Sequence, residues 1–445
     1  MTSIADGSVI IQTSADALPC PPPWWGELVL LSQHFRQQGI LTRLTEGVRF
    51  EQRRFGHYEL IDFLVVLFGY AISGERTLES FYEVLQPWAQ PFMALFGRDR
   101  LPSRSALSRA LAALTVPVIE TLRTQFLTDL LARPLSADAQ EAGLWDRQGQ
   151  QWRVFDIDGT REAARQRALP SADHLPVPQR RLNKVCAPGY TGRKRGEVVR
   201  TRTTVLQAHS HQWLGSFGNK GNGMYREELR WAVEAIGAYL TAHQFPPQRA
   251  LLRLDGAYGT GAVLSDLAGH AFVTRGKDYT VLDHPLVQAR LHVPPDGQQR
   301  RPESQLTRSL YDCPNVPVGP EGVRCRVVVA THPAGKTKSR VGLTRQDVVY
   351  ELFFTSLPQQ SFTVVDVVEL YLHRGAFEPA LSDEDDELDP DRWCSHAACG
   401  QECWQLIAQW VWNEAPGIGS CAGPAAGTHH RVRPRSASRA HGSWL

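Results

Sequence analysis

Residues 151–160 read Gln151-Trp152-Arg153-Val154-Phe155-Asp156-Ile157-Asp158-Gly159-Thr160, and the fold follows from them. Val154, Phe155 and Ile157 make a short apolar run stopped by a glycine, the signature of a buried strand rather than a helix. The run closes on Asp158, and Gly159 beside it lets the backbone turn and leaves room for a bulky ligand. The same device returns at Ala250-Leu251-Leu252-Arg253-Leu254-Asp255-Gly256. Two apolar strands that each end in Asp-Gly predict two carboxylates at one sheet edge, where α/β folds gather ligands.

Working outward, residues 198–208 and 211–217 read as a strand pair, and residues 225–242 as a helix with Leu229, Ala232, Val233, Ile236 and Leu240 on one face. Residues 263–274 add a helix and a strand. Residues 277–345 break the rhythm with Pro, Gly and Gln clusters around one clear strand at 325–330, which predicts an inserted, partly β subdomain. Packing resumes at 348–356, and Thr363 with Asp366 forms a capping box that opens a helix. That helix is expected to carry Tyr371, Arg374 and Glu378 at i, i+3 and i+7 on one stripe. Upstream, apolar residues at three-and-four spacing over 24–135 (Leu60, Leu64, Leu67; Leu127, Leu130, Leu131) predict four to six helices, joined to the first strand by a linker around Gly149.

The expected domains are 1–20 disordered, 21–147 helical and DNA-binding, 148–276 and 346–412 as two parts of one catalytic domain, 277–345 as the insertion, and 413–445 disordered. Ser103 is the expected N-cap of a short helix that buries Leu107, Leu111 and Leu114 and turns Arg104 and Arg109 outward, as the second helix of a helix-turn-helix does.

Lys plus Arg outnumber Asp plus Glu only 48 to 46, so any positive field for a polyanion must be local. Arg180, Arg181, Lys184, Arg193, Lys194, Arg195, Arg200 and Arg202 against Glu197 supply one beside the first Asp, and neutralising phosphates needs such a cluster. No run reaches the ~20 apolar residues of a bilayer crossing. With no Lys or Arg in the first twenty residues to open a secretory signal, a cytoplasmic setting is expected and no membrane partner. Eight cysteines are too few for a disulfide scaffold in a chain of 445. Cys394, His396, Cys399 and Cys403 offer soft zinc ligands, but they run into Trp404, Leu406, Ile407 and Trp410, so helix packing is the preferred reading.

Asp158, Asp255 and Glu378 are three hard oxygen donors suited to Mg2+, with Mn2+ as a substitute. Two such ions can activate water and stabilise the leaving oxygen of a phosphodiester. Arg374 would hold a phosphate and Tyr371 the DNA beside it.

Asp158-Gly159-Thr160, Asp255-Gly256-Ala257-Tyr258 and Tyr371-x2-Arg374-x3-Glu378 together resemble the DDE transposases of bacterial insertion sequences, in the branch with the Y-R-E-K signature (the IS-four type). Residues 353–357 resemble the strand before the Glu helix in that family. The resemblance implies a ribonuclease-H-like α/β catalytic domain, with a partly β insertion between the second Asp and the Glu and an all-α domain before it. It implies transposition by Mg2+-dependent cutting and rejoining of DNA at terminal inverted repeats, with Asp158, Asp255 and Glu378 holding metal and a homodimer on DNA. The signature's lysine position holds Asp385, within an acidic run at 383–389, and Pro379 follows Glu378 directly. Those departures suit a catalytically lapsed, DNA-binding copy. A further rival is a haloacid-dehalogenase-like phosphatase, whose D-x-D-G-T motif matches Asp156-Ile157-Asp158-Gly159-Thr160, with Asp156 as nucleophile.

Overall fold

The alternation at 151–160 builds the middle of a large mixed sheet. The computed structural model describes residues 2–5, 8–11, 20–48, 57–132, 143–163, 187–190, 195–220, 225–301, 306–335, 341–388, 392–395 and 397–421. Strands β1 (Thr2–Ala5) and β2 (Ser8–Ile11) pair as a hairpin where composition had suggested no structure. Among the described residues seven α-helices follow, where four to six were expected: α1 (Trp25–Gln37), α2 (Ile40–Gly47), α3 (Leu60–Ser73), α4 (Leu78–Leu85), α5 (Ala89–Leu95), α6 (Arg104–Ala113) and α7 (Val116–Leu131). Every residue of α3 is buried, so the apolar run at 63–72 is a core helix. Among the described residues no single helix is long and apolar enough to cross a membrane.

The expected linker at Gly149 is a tight hairpin turn between β3 (Leu144–Trp145) and β4 (Gln151–Ala163), with Gly149 at φ 73°. Asp146 holds that turn by accepting the backbone N–H groups of Gln148 and Gln150 at 2.9 and 2.8 Å. After β5 (Ala187–Tyr190), the long strand β6 (Arg195–Gln207) runs antiparallel beside β4, and β7 (Gln212–Lys220) antiparallel beside β6. Helix α8 (Tyr225–Ala242) leads to β8 (Ala250–Leu254), and α9 (Gly261–Asp266) to β9 (Ala271–Arg275), both strands parallel to β4. The order across this part of the sheet is β7, β6, β4, β8, β9: three antiparallel strands, then two parallel ones.

The strands of the interruption at 277–345 join the main sheet. After α10 (Pro285–Leu291), strands β10 (Gly297–Arg301), β11 (Leu306–Val318), β12 (Val323–Pro333) and β13 (Leu343–Arg345) extend the same sheet through β14 (Val348–Thr355), which pairs with β9. Among the described residues the result is one twelve-stranded sheet. Its two faces carry separate cores. Phe155, Ile157, Leu252 and Leu254 pack with α8 and α9 on one side, and Val154, Leu251, Val273 and Phe353 pack with α11 (Val364–Leu372) on the other.

The chain ends its described course in α12 (Phe377–Glu387) and α13 (Ala398–Cys421). The expected disordered tail from 413 is helical as far as Cys421; residues 422–445 lie outside the described residues. Cys403, Trp404, Ile407 and Trp410 of α13 join the core of the N-terminal helices, so the two ends of the chain complete one helical unit. Asn413 also pairs with the backbone of Trp213 on β7, donating to its carbonyl and accepting its N–H, each at 2.8 Å. The helix thereby occupies hydrogen-bonding groups on a strand whose one sheet partner among the described residues is β6.

Candidate catalytic site

Side chains alternate along a strand. Because Phe155 and Ile157 enter one core, Asp156 and Asp158 of β4 point to the α11 face; because Leu252 and Leu254 do the same on β8, Arg253 and Asp255 share that face. The parallel register sets Asp156 beside Arg253 and stops at Ile157–Leu254. Asp158 and Asp255 are therefore the next residues on two strands that part there. Asp158 does not close its strand, as the sequence suggested. β4 continues to Ala163 along β6, with Asp158 opposite Thr204, and only the parallel pairing ends. The parting strands leave a notch with one carboxylate on each lip.

Beneath the notch Arg253 holds Asp156 with both arms, Nε at 2.8 Å and Nη2 at 2.6 Å, and donates Nη1 to the Leu370 carbonyl. Burial raises the Asp156 pKa while Arg253 pulls against it. Both oxygens of this carboxylate, 1% exposed, are thus held by one guanidinium and shut away from solvent, which weighs against Asp156 as a nucleophile. The sequence reading missed this pair. Its signal was a charge inside the apolar run at 250–254, since a buried charge needs a partner.

Asp255 caps the turn that follows it, accepting the Ala257 N–H, while Thr274 donates to its carbonyl at 2.8 Å. Gly256 is not the residue this turn requires, because a Cβ there would meet nothing nearer than 3.5 Å. Gly259 is, because a Cβ there would overlap the Arg275 carbonyl oxygen. Tyr258 is buried beside Thr203, and Glu228 under them accepts the hydroxyls of Thr201 at 2.5 Å and Thr203 at 2.6 Å. Burial pushes the Glu228 carboxyl up.

Tyr371, Arg374 and Glu378 do not share one regular helix. Helix α11 ends at Leu372, His373–Ala376 tightens into a 3-10 turn, and α12 begins at Phe377. A 3-10 stretch between two helices often marks a functional hinge. Tyr371 lies edge-on to Phe353 at 5.3 Å, with the Arg275 guanidinium 5.1 Å from its ring centre. Arg374, in the turn, donates Nη2 to Asp158 Oδ1. Glu378 is exposed in the first turn of α12, and its neighbour Phe377 packs edge-on against Trp213 of β7 at 5.8 Å. Pro379 falls in that same first turn, where an N–H has no helical acceptor, so it fits rather than breaks the helix.

Asp158 is pushed above the ordinary carboxylate range, chiefly by burial; Arg374 pulls it back, and the charges of Asp255 and Glu378 push it further up. Two carboxylates from distant parts of the chain thus bear on a third. Among the described residues, the three-donor group that closes to within 4.8 Å is His34, Asp129 and Glu414. Asp158, Asp255 and Glu378 are more widely spaced, with the Arg374 guanidinium bonded to Asp158. Burial works against the Arg374 charge, but Asp158, Asp255 and Asp156 outweigh it and raise its pKa.

The proposed DNA contacts divide. Arg104 and Arg109 are exposed on α6, which Ser103 caps at 3.2 Å, and Arg104 lies 3.1 Å from Glu79. Arg200 and Arg202 are a correction: they are 1% and 0% exposed, with Arg202 paired to Glu384 at 3.0 Å and Arg200 3.6 Å from Glu402, so both face acidic partners inside the fold. Glu384 belongs to the acidic run, which therefore serves partly as an internal counter-charge. Arg180, Arg181, Lys184, Arg193 and Lys194 lie outside the described residues, as does His396 of the cysteine cluster. Arg195 opens β6. Cys403 is fully buried in α13 with its thiol pushed up to about 12 by burial, which suits packing.

No family model matches the chain, and no curated protein does. Among solved structures it is similar to a piggyBac transposase synaptic complex with hairpin DNA, at 11% identity and a TM-score of 0.35, over 88% of this chain and 76% of that one. The likeness is too distant to bear on residues or activity.

Proposed function

We propose that the chain is a DDE-type DNA transposase, cutting phosphodiester bonds at the ends of a mobile element and joining the freed 3′-hydroxyl to a second phosphodiester. One observation carries the reading: Asp158 and Asp255 follow directly on the last paired residues of β4 and β8, on the same face of the sheet, and the charge of Glu378 bears on Asp158. The strand order β7, β6, β4, β8, β9 supports a ribonuclease-H-like catalytic sheet. Asp158, Asp255 and Glu378 are hard oxygen donors that fit Mg2+ or Mn2+, which when bound would stabilise charge developing on phosphate oxygens.

In that reading the chain's own residues position DNA. Arg374 would exchange the Asp158 carboxylate for a phosphate, the bidentate geometry a guanidinium favours. Tyr371, backed by Phe353 and Arg275, would line the strand beside it. Water attacks phosphorus in line and the 3′-oxygen leaves; the 3′-hydroxyl so formed repeats the displacement on a second phosphodiester, with no covalent enzyme intermediate. Arg104 and Arg109 of α6, with Arg193, Lys194 and Arg195, would hold DNA outside the site. Cutting both ends together implies a homodimer on DNA.

The test is incubation with Mn2+ and DNA carrying the element's terminal inverted repeats. Strand nicks should appear and vanish in Asp158→Asn, Asp255→Asn and Glu378→Gln, with DNA binding retained. Binding without cleavage by the unaltered chain would mean a lapsed copy. Hydrolysis of small phosphomonoesters, lost in Asp156→Ala but not Asp255→Ala, would mean the phosphatase.

A further inference from the structure

A second cluster of ligand atoms lies in the helical unit. His34 of α1, Asp129 of α7 and Glu414 of α13 place one ligand atom each within 4.8 Å of the others. His34 Nε2 and Glu414 Oε2 are 2.7 Å apart. Asp129 and Glu414 are 2% and 0% exposed, in an aromatic surround where Phe35, Phe68 and Phe126 pack on Trp410. Taking two carboxylates out of water costs several kcal/mol each unless they are compensated. A divalent cation held by all three donors would neutralise both carboxylates at once.

We propose that His34, Asp129 and Glu414 form a divalent-metal site of the zinc or manganese class, which ties the C-terminal helix to the N-terminal helices. One imidazole nitrogen and two carboxylate oxygens are a ligand set such metals accept at about 2.0–2.2 Å, with a fourth position for water. Around a tetrahedral ion of that size, donors lie roughly 3.3 Å apart, so the 2.7 Å contact opens by a fraction of an ångström. The Trp410 indole N–H donates to Asp129 Oδ2 at 2.9 Å, the kind of outer contact that orients a metal-binding carboxylate. His34, with 24% of its side chain exposed, gives the ion a way in from solvent.

The rival is a proton shared within a hydrogen-bonded triad, and metal uptake separates the two. The full chain carrying Asp158→Asn, Asp255→Asn and Glu378→Gln, which removes the catalytic carboxylates, is dialysed against Zn2+ or Mn2+ and its metal content measured. One bound ion per chain is expected, with a Tm a few degrees above that of the EDTA-treated protein. His34→Gln and Glu414→Gln should each lose the ion and the Tm difference. His34 is partly exposed, so its variant folds even if Glu414→Gln does not. Co2+ loading should give a visible spectrum without thiolate charge transfer. No uptake, uptake unchanged in folded His34→Gln, or a thiolate band from the cysteines of α13 would overturn the site.

Discussion

Arg202 of β6 and Glu384 of α12 form an ion pair with neither side chain exposed, Nη2 donating to both carboxylate oxygens at 3.0 Å. It pins one end of α12 to the sheet, while Phe377 on Trp213 pins the other beside Glu378. Removing one partner strands a buried charge, at a cost of about 3–5 kcal/mol. Glu384→Ala should lose that much in urea denaturation, and the double change Arg202→Met with Glu384→Leu should recover most of it. If Glu384→Ala unfolds at the unaltered midpoint, the pair does not anchor the helix.

Gly259 and Gly256 make a second, internal comparison. A methyl at Gly259 meets the Arg275 backbone, which cannot swing aside, whereas one at Gly256 meets the flexible end of Lys277 at an ordinary distance. Gly259→Ala should cost about 1–3 kcal/mol and disturb the turn that holds Asp255. Gly256→Ala should stay within about 0.5 kcal/mol. The reverse ranking in thermal melts would contradict the packing.

His209 accepts the Val154 N–H through Nε2 at 3.2 Å, which requires a neutral ring, and burial lowers its pKa to about 4. The unfolded chain takes up the proton near pH 6.5 and the folded chain only near 4. This contribution is therefore complete above pH 6.5 and falls as pH drops toward 4, by up to ~3 kcal/mol. His209→Gln should flatten that acid limb in denaturant midpoints taken across the window. Parallel limbs in both proteins would exclude His209 as the titrating group.

Arg374 bonds the carboxylate proposed to hold metal. Removing a positive charge from beside Asp158 favours another cation there, so Arg374→Ala should bind Mn2+ several-fold more tightly by calorimetry while losing DNA cleavage. Weaker Mn2+ binding in the folded variant would show that Arg374 organises the carboxylates rather than competing for them.

The local devices were legible in the sequence. The strand at 250–254, the helix at 225–242, the Thr363–Asp366 capping box and the outward face of α6 rest on alternation, periodicity and caps, which span a few residues each. The three candidate carboxylates were also picked out by their motifs. Only the tertiary structure decided what those side chains meet. The β4–β8 register set Asp156 against Arg253 and left Asp158 and Asp255 just beyond its last pair, and the break between α11 and α12 separated Arg374 from Glu378. Arg202 looked like a DNA contact until its buried partner, Glu384, was in view. Likewise the strands after Lys277 joined the main sheet, and α13 closed the helical core at the opposite end of the chain. Pairing between distant segments depends on register and on which faces bury together, and neither is written in the short-range pattern of either segment alone.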